Sequence, residues 1–150
     1  MLTSDYAETV SLIERLHRRF LDVLRVELDR LGVTDINNAQ GLLLANIGRQ
    51  EVSVGELMSR GYYLGSNVTY NLKSLVEAGY AVQERSQRDK RVVRVRLTER
   101  GLELSRKLGL IFEQQAQELA AGPHLPDVSA LNESLRALEG FWSVKAIAKP

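Results

Sequence analysis

Apolar residues recur at steps of three and four through most of this chain, and at steps of two in one short stretch. From Asp5 to Leu31, the residues Tyr6, Val10, Ile13, His17, Phe20, Leu24, Leu28 and Leu31 fall on one stripe. That pattern predicts a long helix ended by Gly32. Leu12, Leu16, Leu21 and Val23 widen its apolar surface, so it needs more than one neighbour. A second helix is predicted from about Asp35 to Ile47, capped by Thr34 or Asp35 and closed by Gly48, with Ile36, Ala39, Leu43 and Ile47 pointing one way. Glu51-Val52-Ser53 reads as a stub of strand. Ser53 and Glu56 form an S-x-x-E capping box that starts a third helix, with Val54, Leu57 and Met58 inward and Gly61 as its breaker.

A fourth helix is predicted from about Ser66 to Ala78, ended by Gly79. Val68, Leu72, Leu75 and Val76 give it one buried face. Its opposite face carries Ser66, Asn67, Thr69, Tyr70 and Lys73, with no carboxylate before Glu77. The pattern then changes to alternation. Tyr80 to Arg85 and Val92 to Leu97 read as the two strands of a hairpin, with Val93, Val95 and Leu97 in and Arg94 and Arg96 out. Thr98 caps a fifth helix reaching roughly to Ala120. Ala121 to Asp127, with two prolines and a glycine, is a loop. A sixth helix follows from about Val128 to Val144, with Leu131, Leu135, Leu138 and Trp142 on a stripe. The fold class is therefore mainly α with a small β hairpin: a winged helix-turn-helix flanked by long helices.

Composition changes this picture in two places. The chain has 150 residues and no cysteine, which fits one domain and excludes disulfides, cysteine-ligated zinc and a thiol redox sensor. Net charge is +1, but the stretch from Arg85 to Arg96 holds six basic residues against one acid, Asp89, leaving the rest of the chain net acidic. A cationic projection on an acidic body is an electrostatic footprint for a polyanion. The opening MLTSDYAE is acidic and polar, unlike a signal peptide, so a cytoplasmic setting is expected.

A helix about 12 Å or less across fits the major groove of B-DNA. Ser66, Asn67, Thr69, Tyr70 and Lys73 are short or hydrogen-bonding and free of negative charge, as that groove demands. Alone, they also fit an ordinary solvated helix face. A hairpin tip with Arg88, Asp89, Lys90 and Arg91 suits phosphates or a narrow minor groove. Alone, it also fits an edge-protecting charged loop. A groove-sized polar helix followed directly by a cationic hairpin is more specific than either part. Asp89 is expected to hold a wing arginine in position.

With those residues in view, the segment resembles the MarR family of winged helix-turn-helix transcriptional regulators. The carrying residues are VTYNLKSLVEAGY (Val68 to Tyr80), Glu84-Arg85, Asp89-Lys90-Arg91 and Leu97-Thr98-Glu99-Arg100-Gly101. Asp89 and Arg91 match the family's wing pattern. Leu97, Thr98 and Gly101 match its L-T-x-x-G exit. NNAQGLLLANIG and RGYYLGSNVTYNLK look like an LdtR-type alphaproteobacterial subgroup. Leu64 stands where members often carry a capping Ser or Thr, so Gly65 or Ser66 must take that role or the helix starts a residue later, and the wing is slightly short.

The resemblance implies a single domain over residues 1–150 that pairs as a homodimer. Residues 1–48 and 98–150 would be mainly dimerisation helices, and 49–97 the reader of a pseudo-palindromic double-stranded operator. The terminal helices agree, since they carry more apolar surface than one small reader covers. An intramolecular bundle is the plainer account. The expected role is repression, with activation left open beside it. The resemblance further implies a small aromatic or anionic effector, and polar groups on mostly apolar helices, His17 and Asn46, are the candidate anchors for it. Core packing explains both residues equally well.

No cofactor or metal is expected. His17 and His124 lack an H-x-x-x-H companion, and no nucleophile elbow, P-loop or dinucleotide fingerprint occurs. Gly61 to Gly65 brackets Tyr62 and Tyr63, which could touch DNA or a ligand, or simply pack the turn. The rival to a DNA reader is a protein-interaction winged helix whose hairpin binds an acidic partner.

Overall fold

A computed structural model describes residues 2–60, 65–123 and 126–147, and of residues 2, 65 and 66 the backbone alone. Its elements run α1 (Leu2–Arg30), α2 (Asn38–Ile47), β1 (Val52–Ser53), α3 (Val54–Ser59), α4 (Gly65–Glu77), β2 (Ala81–Arg85), β3 (Val93–Leu97), α5 (Glu99–Ala121) and α6 (Val128–Ile147). The chain forms two compact units, residues 1–111 and 112–150.

In the first unit the core is aliphatic. Leu24, Leu43, Leu44, Leu57, Val68, Leu72, Leu75, Val95 and Leu108 are fully buried. Each such side chain contributes roughly 1.5–3 kcal/mol. They come from α1 to α5 and the sheet, so the hairpin and α4 share one core with α1 and α2. The sheet is antiparallel in the order β1-β3-β2, with Val52 opposite Val95 and Gln83 opposite Val95 from the other side. The predicted strand stub is therefore the third strand.

Local rules misplace two features. The second helix starts three residues later than expected, and its cap is Asn37 rather than Thr34 or Asp35. The Asn37 side chain accepts from Gln40 N at 2.9 Å, and Gln40 Oε1 accepts from Asn37 N at 3.0 Å, a reciprocal capping box. Asp35 is engaged elsewhere: its carboxylate accepts from Tyr80 Oη at 2.8 Å and from Arg100 Nη2 at 2.7 Å. Met58, expected inward, is exposed, and Leu57 is the buried member of α3. Ser53 caps α3 by accepting from Glu56 N at 3.0 Å. Gly61, expected to break that helix, lies outside the described residues.

α1 ends as predicted. Gly32 sits at φ +74, Val33 N donates to Leu28 O, and Gly32 N donates to Asp29 O. This is the Schellman closure that glycine permits. In the second unit, Asp127 caps α6 by accepting from Ala130 N at 3.0 Å. No α6 residue is buried: Leu131, Leu135, Phe141 and Val144 are all exposed, while Leu138 and Trp142 are half-buried.

Candidate nucleic-acid interface

Two faces of α4 do different work. Val68, Leu72 and Leu75 are sealed in the core, and Asn71 is buried beside them. Gln40 Nε2 donates to Asn71 Oδ1 at 3.4 Å, a buried polar contact between α2 and α4. Such a bond fixes which way the helix is rotated, because a slip would strand two amides without water. Sequence reasoning missed this pair. The available signal was Asn71, an amide set against Leu72 on the apolar side.

The outer face carries what was predicted. Asn67, Thr69, Tyr70 and Lys73 are exposed, with Tyr70 at 67%. The Lys73 ammonium stands 4.0 Å from Glu77 of the next turn, a weak exposed pair. Ser66 lies in the first turn of α4, but its side chain is outside the described residues, as are Tyr62, Tyr63 and Leu64.

The hairpin is braced by its own cations. Ser86 N donates to Val92 O at 2.8 Å, and Val92 N donates to Asp89 O at 2.9 Å, closing the tip. Arg85 Nη1 donates to Lys90 O at 2.8 Å. Arg91 meets Asp89 three times, through its backbone N and Nε on Oδ1 at 3.0 and 3.1 Å, and through Nη2 on Oδ2 at 3.2 Å. Those Arg91 bonds hold the Asp89 carboxyl below its ordinary range. The expected Asp89–arginine bond is thus present, and its partner is Arg91.

Further down the sheet, Arg94 lies 3.3 Å from Glu51, and Arg96 lies 3.5 Å from Glu84. The two strand arginines are therefore paired with acids from outside the basic stretch. At the tip, Arg88 and Lys90 are exposed and their side chains carry no internal partner among the described residues. Counting charges along the sequence could not separate them from Arg94 and Arg96, because the neutralising acids lie across the sheet.

The two effector candidates belong to other elements. His17 is exposed on α1, and Asn46 is half-buried on α2. A hollow of about 200 Å³ opens beside Tyr80, Arg100 and Leu104, and neither candidate lines it. His124 lies outside the described residues. No described helix is long and apolar enough to cross a membrane.

A family model described as the MarR family matches residues 31–92. The exopolysaccharide II synthesis transcriptional activator ExpG of Rhizobium meliloti is 41% identical over 138 residues, covering 91% of this chain and 71% of that protein. Among solved structures, Streptococcus pneumoniae FabT in complex with DNA matches with a TM-score of 0.73 at 21% identity, over 92% of this chain and 97% of that one. The reduced form of MarR from E. coli matches with a TM-score of 0.65 at 27% identity, over 85% of this chain and 93% of that one.

Proposed function

The chain belongs to the MarR family, and from that premise we propose that it is a dimeric, sequence-specific regulator of transcription that binds double-stranded DNA. The observation that carries the reading is the pairing of a polar face on α4 that carries no acid before Glu77 with a hairpin tip whose Arg88 and Lys90 side chains have no partner among the described residues. Asn67, Thr69, Tyr70 and Lys73 would approach base edges or adjacent phosphates in the major groove. Arg88, Lys90 and Arg91, with Asp89 orienting Arg91, would hold backbone or minor groove. Ser66 joins the first group as a proposal from sequence.

The dimer part of the proposal rests on apolar surface. In the first unit Leu12, Leu16, Phe20, Val23 and Val26 are exposed along α1, and in the second Leu131, Leu135, Phe141 and Val144 are exposed along α6. Faces of this extent mark association surfaces. A two-fold dimer places its recognition helices about 34–36 Å apart and requires a pseudo-palindromic site. The sign of regulation follows from where that site lies. A site overlapping a promoter gives the repression expected from the resemblance, and the ExpG relative is named an activator. A small aromatic or anionic effector anchored near His17 and Asn46 would act by binding the DNA-incompetent arrangement more tightly.

Selection of bound fragments from the parent genome, followed by sequencing, tests the core of this reading. A palindromic sequence with half-sites one helical turn apart is expected. Indifference to duplex at low salt would leave the protein-interaction reading instead. Sedimentation of the free protein tests the dimer.

A further inference from the structure

The C-terminal end of α4 is closed by residues from two distant parts of the chain. Gly79 sits at φ +84, Gly79 N donates to Val76 O at 3.0 Å, and Tyr80 N donates to Leu75 O at 2.9 Å. This closure turns the carbonyls of Ala78, Gly79 and Tyr80 away from the helix, where each needs a donor. The entry to α5 supplies all three. Arg100 Nη1 donates to Ala78 O. Thr98 Oγ1 donates to Gly79 O at 2.7 Å, and Thr98 N donates to Tyr80 O at 3.0 Å.

The loop between α1 and α2 completes the arrangement. Arg100 Nη2 donates to Asp35 Oδ2 at 2.7 Å and to Tyr80 Oη at 3.1 Å, and the guanidinium lies 4.3 Å over the Tyr80 ring. Tyr80 Oη in turn donates to Asp35 Oδ1 at 2.8 Å. The planar fork of arginine serves a carbonyl, a carboxylate and a phenol together, which a lysine ammonium cannot reach at once. Its charge also faces the negative end of the α4 dipole.

We propose that Asp35 and Arg100 are positioning residues for DNA binding: with Tyr80 they latch the exit of α4 to α5 and to the α1–α2 loop, and so set the angle at which the recognition helix meets the duplex. The proposal rests on the DNA-binding reading of α4. Neither residue belongs to the outer face of α4 or to the hairpin, so both act through the helix. The aliphatic side chains of α4 supply adhesion without direction, whereas the latch bonds, like the Gln40–Asn71 bond, are directional. Base readout depends on that angle, and backbone contacts depend on it far less.

The test uses the full-length protein with Asp35→Asn, Arg100→Lys, Arg100→Gln and the Asp35→Asn/Arg100→Gln double variant. Each is titrated against the duplex recovered from genome-fragment selection and against a scrambled duplex of equal length. Amide exchange at Gly79 and Tyr80 is followed in the free proteins. Asp35→Asn and Arg100→Gln should weaken the recovered duplex about tenfold while scrambled binding moves less than about twofold. The double variant should be no worse than Arg100→Gln, because the two act as one unit. Arg100→Lys should fall between wild type and Arg100→Gln. The two amides should exchange faster in every variant. Equal losses on both duplexes overturn the proposal, as does a loss with Arg100→Gln but none with Asp35→Asn. Unchanged exchange at Gly79 and Tyr80 also overturns it. If the wild type recovers no duplex, the DNA reading fails, and the exchange data alone then decide the latch.

Discussion

Replacing Gly101 by alanine should destabilise the protein by about 3 kcal/mol, against the ordinary preference of helices for alanine. Gly101 lies in the first turn of α5, fully packed against the turn that leaves α4. A methyl group there would collide with the Tyr80 carbonyl oxygen and stand 3.1 Å from both Leu97 Cβ and the Tyr80 carbonyl carbon. Those neighbours are backbone and a strand residue, so they cannot swing aside. α5 must back away, and the Thr98 bonds to Tyr80 O and Gly79 O go with it. Two such bonds contribute about 0.5–1.5 kcal/mol each. Overpacking adds about 1–3 kcal/mol, and alanine in place of glycine returns about 1 kcal/mol. Urea unfolding at fixed protein concentration measures the difference, and the thermal midpoint should fall by roughly 6–12 °C. Gly109 is the internal comparison. A Cβ there meets nothing within 4 Å, so Gly109→Ala should gain up to about 1 kcal/mol. A Gly101→Ala protein within about 0.5 kcal/mol of wild type would rule out this close approach of α5 to the Tyr80 carbonyl, because a collision with backbone cannot be absorbed so cheaply.

The two unpartnered cations of the hairpin tip give the next expectation. Arg88→Ala and Lys90→Ala should each lower the slope of log affinity against log salt by about one unit on specific and random duplex alike. An unchanged slope would take the hairpin out of the interface. Substituting Asn67 or Thr69 should cost about 1–3 kcal/mol at particular base pairs while sparing random duplex. Equal losses on both would make these residues backbone contacts. Acid should loosen the latch. Burial raises the Asp35 carboxyl, but the bonds from Tyr80 and Arg100 outweigh it and hold the group below its ordinary value. Its contribution is therefore complete above the unfolded carboxylate range and is lost as pH falls through the lower folded value. Asp35→Asn should flatten that part of the acid-unfolding curve, and an unaltered curve would count against the assignment. Aromatic acids should raise the thermal midpoint of the free protein and release it from its operator; a panel that does neither would remove the effector from the proposal.

The sequence disclosed the long elements because their apolar stripes are periodic over many turns. It disclosed the glycine stops at Gly32, Gly48 and Gly79, all of which take positive φ. It also disclosed that Asp89 holds a wing arginine, and the partner, Arg91, is only two residues away. What it hid was long-range. Asp35 looks like a helix cap by local rules, yet its carboxylate is held by residues 45 and 65 positions away. Arg94 and Arg96 look as free as Arg88 until the sheet brings Glu51 and Glu84 alongside. Asn71 falls on the apolar stripe of α4 in sequence, but only the packing of α2 against α4 shows that Gln40 is its partner. The exposed face of α4 was legible because exposure there follows from helical period alone.

The hairpin and α4 are contiguous in sequence, which invites cutting residues 49–97 out as a portable reading cassette. The carbonyls that end α4 depend on residues outside that span. Such a fragment would stop one residue short of Thr98, and it would lack Arg100 and Asp35. Three backbone acceptors at the end of α4 would then compete for water, and Gln40, the partner of Asn71, would be missing as well. The same dependence orders events on the ribosome. α4 is synthesised some twenty residues before the segment that closes its exit, so the reader can take its final posture only after the start of α5 has emerged. Grafts of this reader onto another scaffold therefore need residues 35–101 for the latch, and also the parts of α1 and α5 that bring Leu24 and Leu108 into its core.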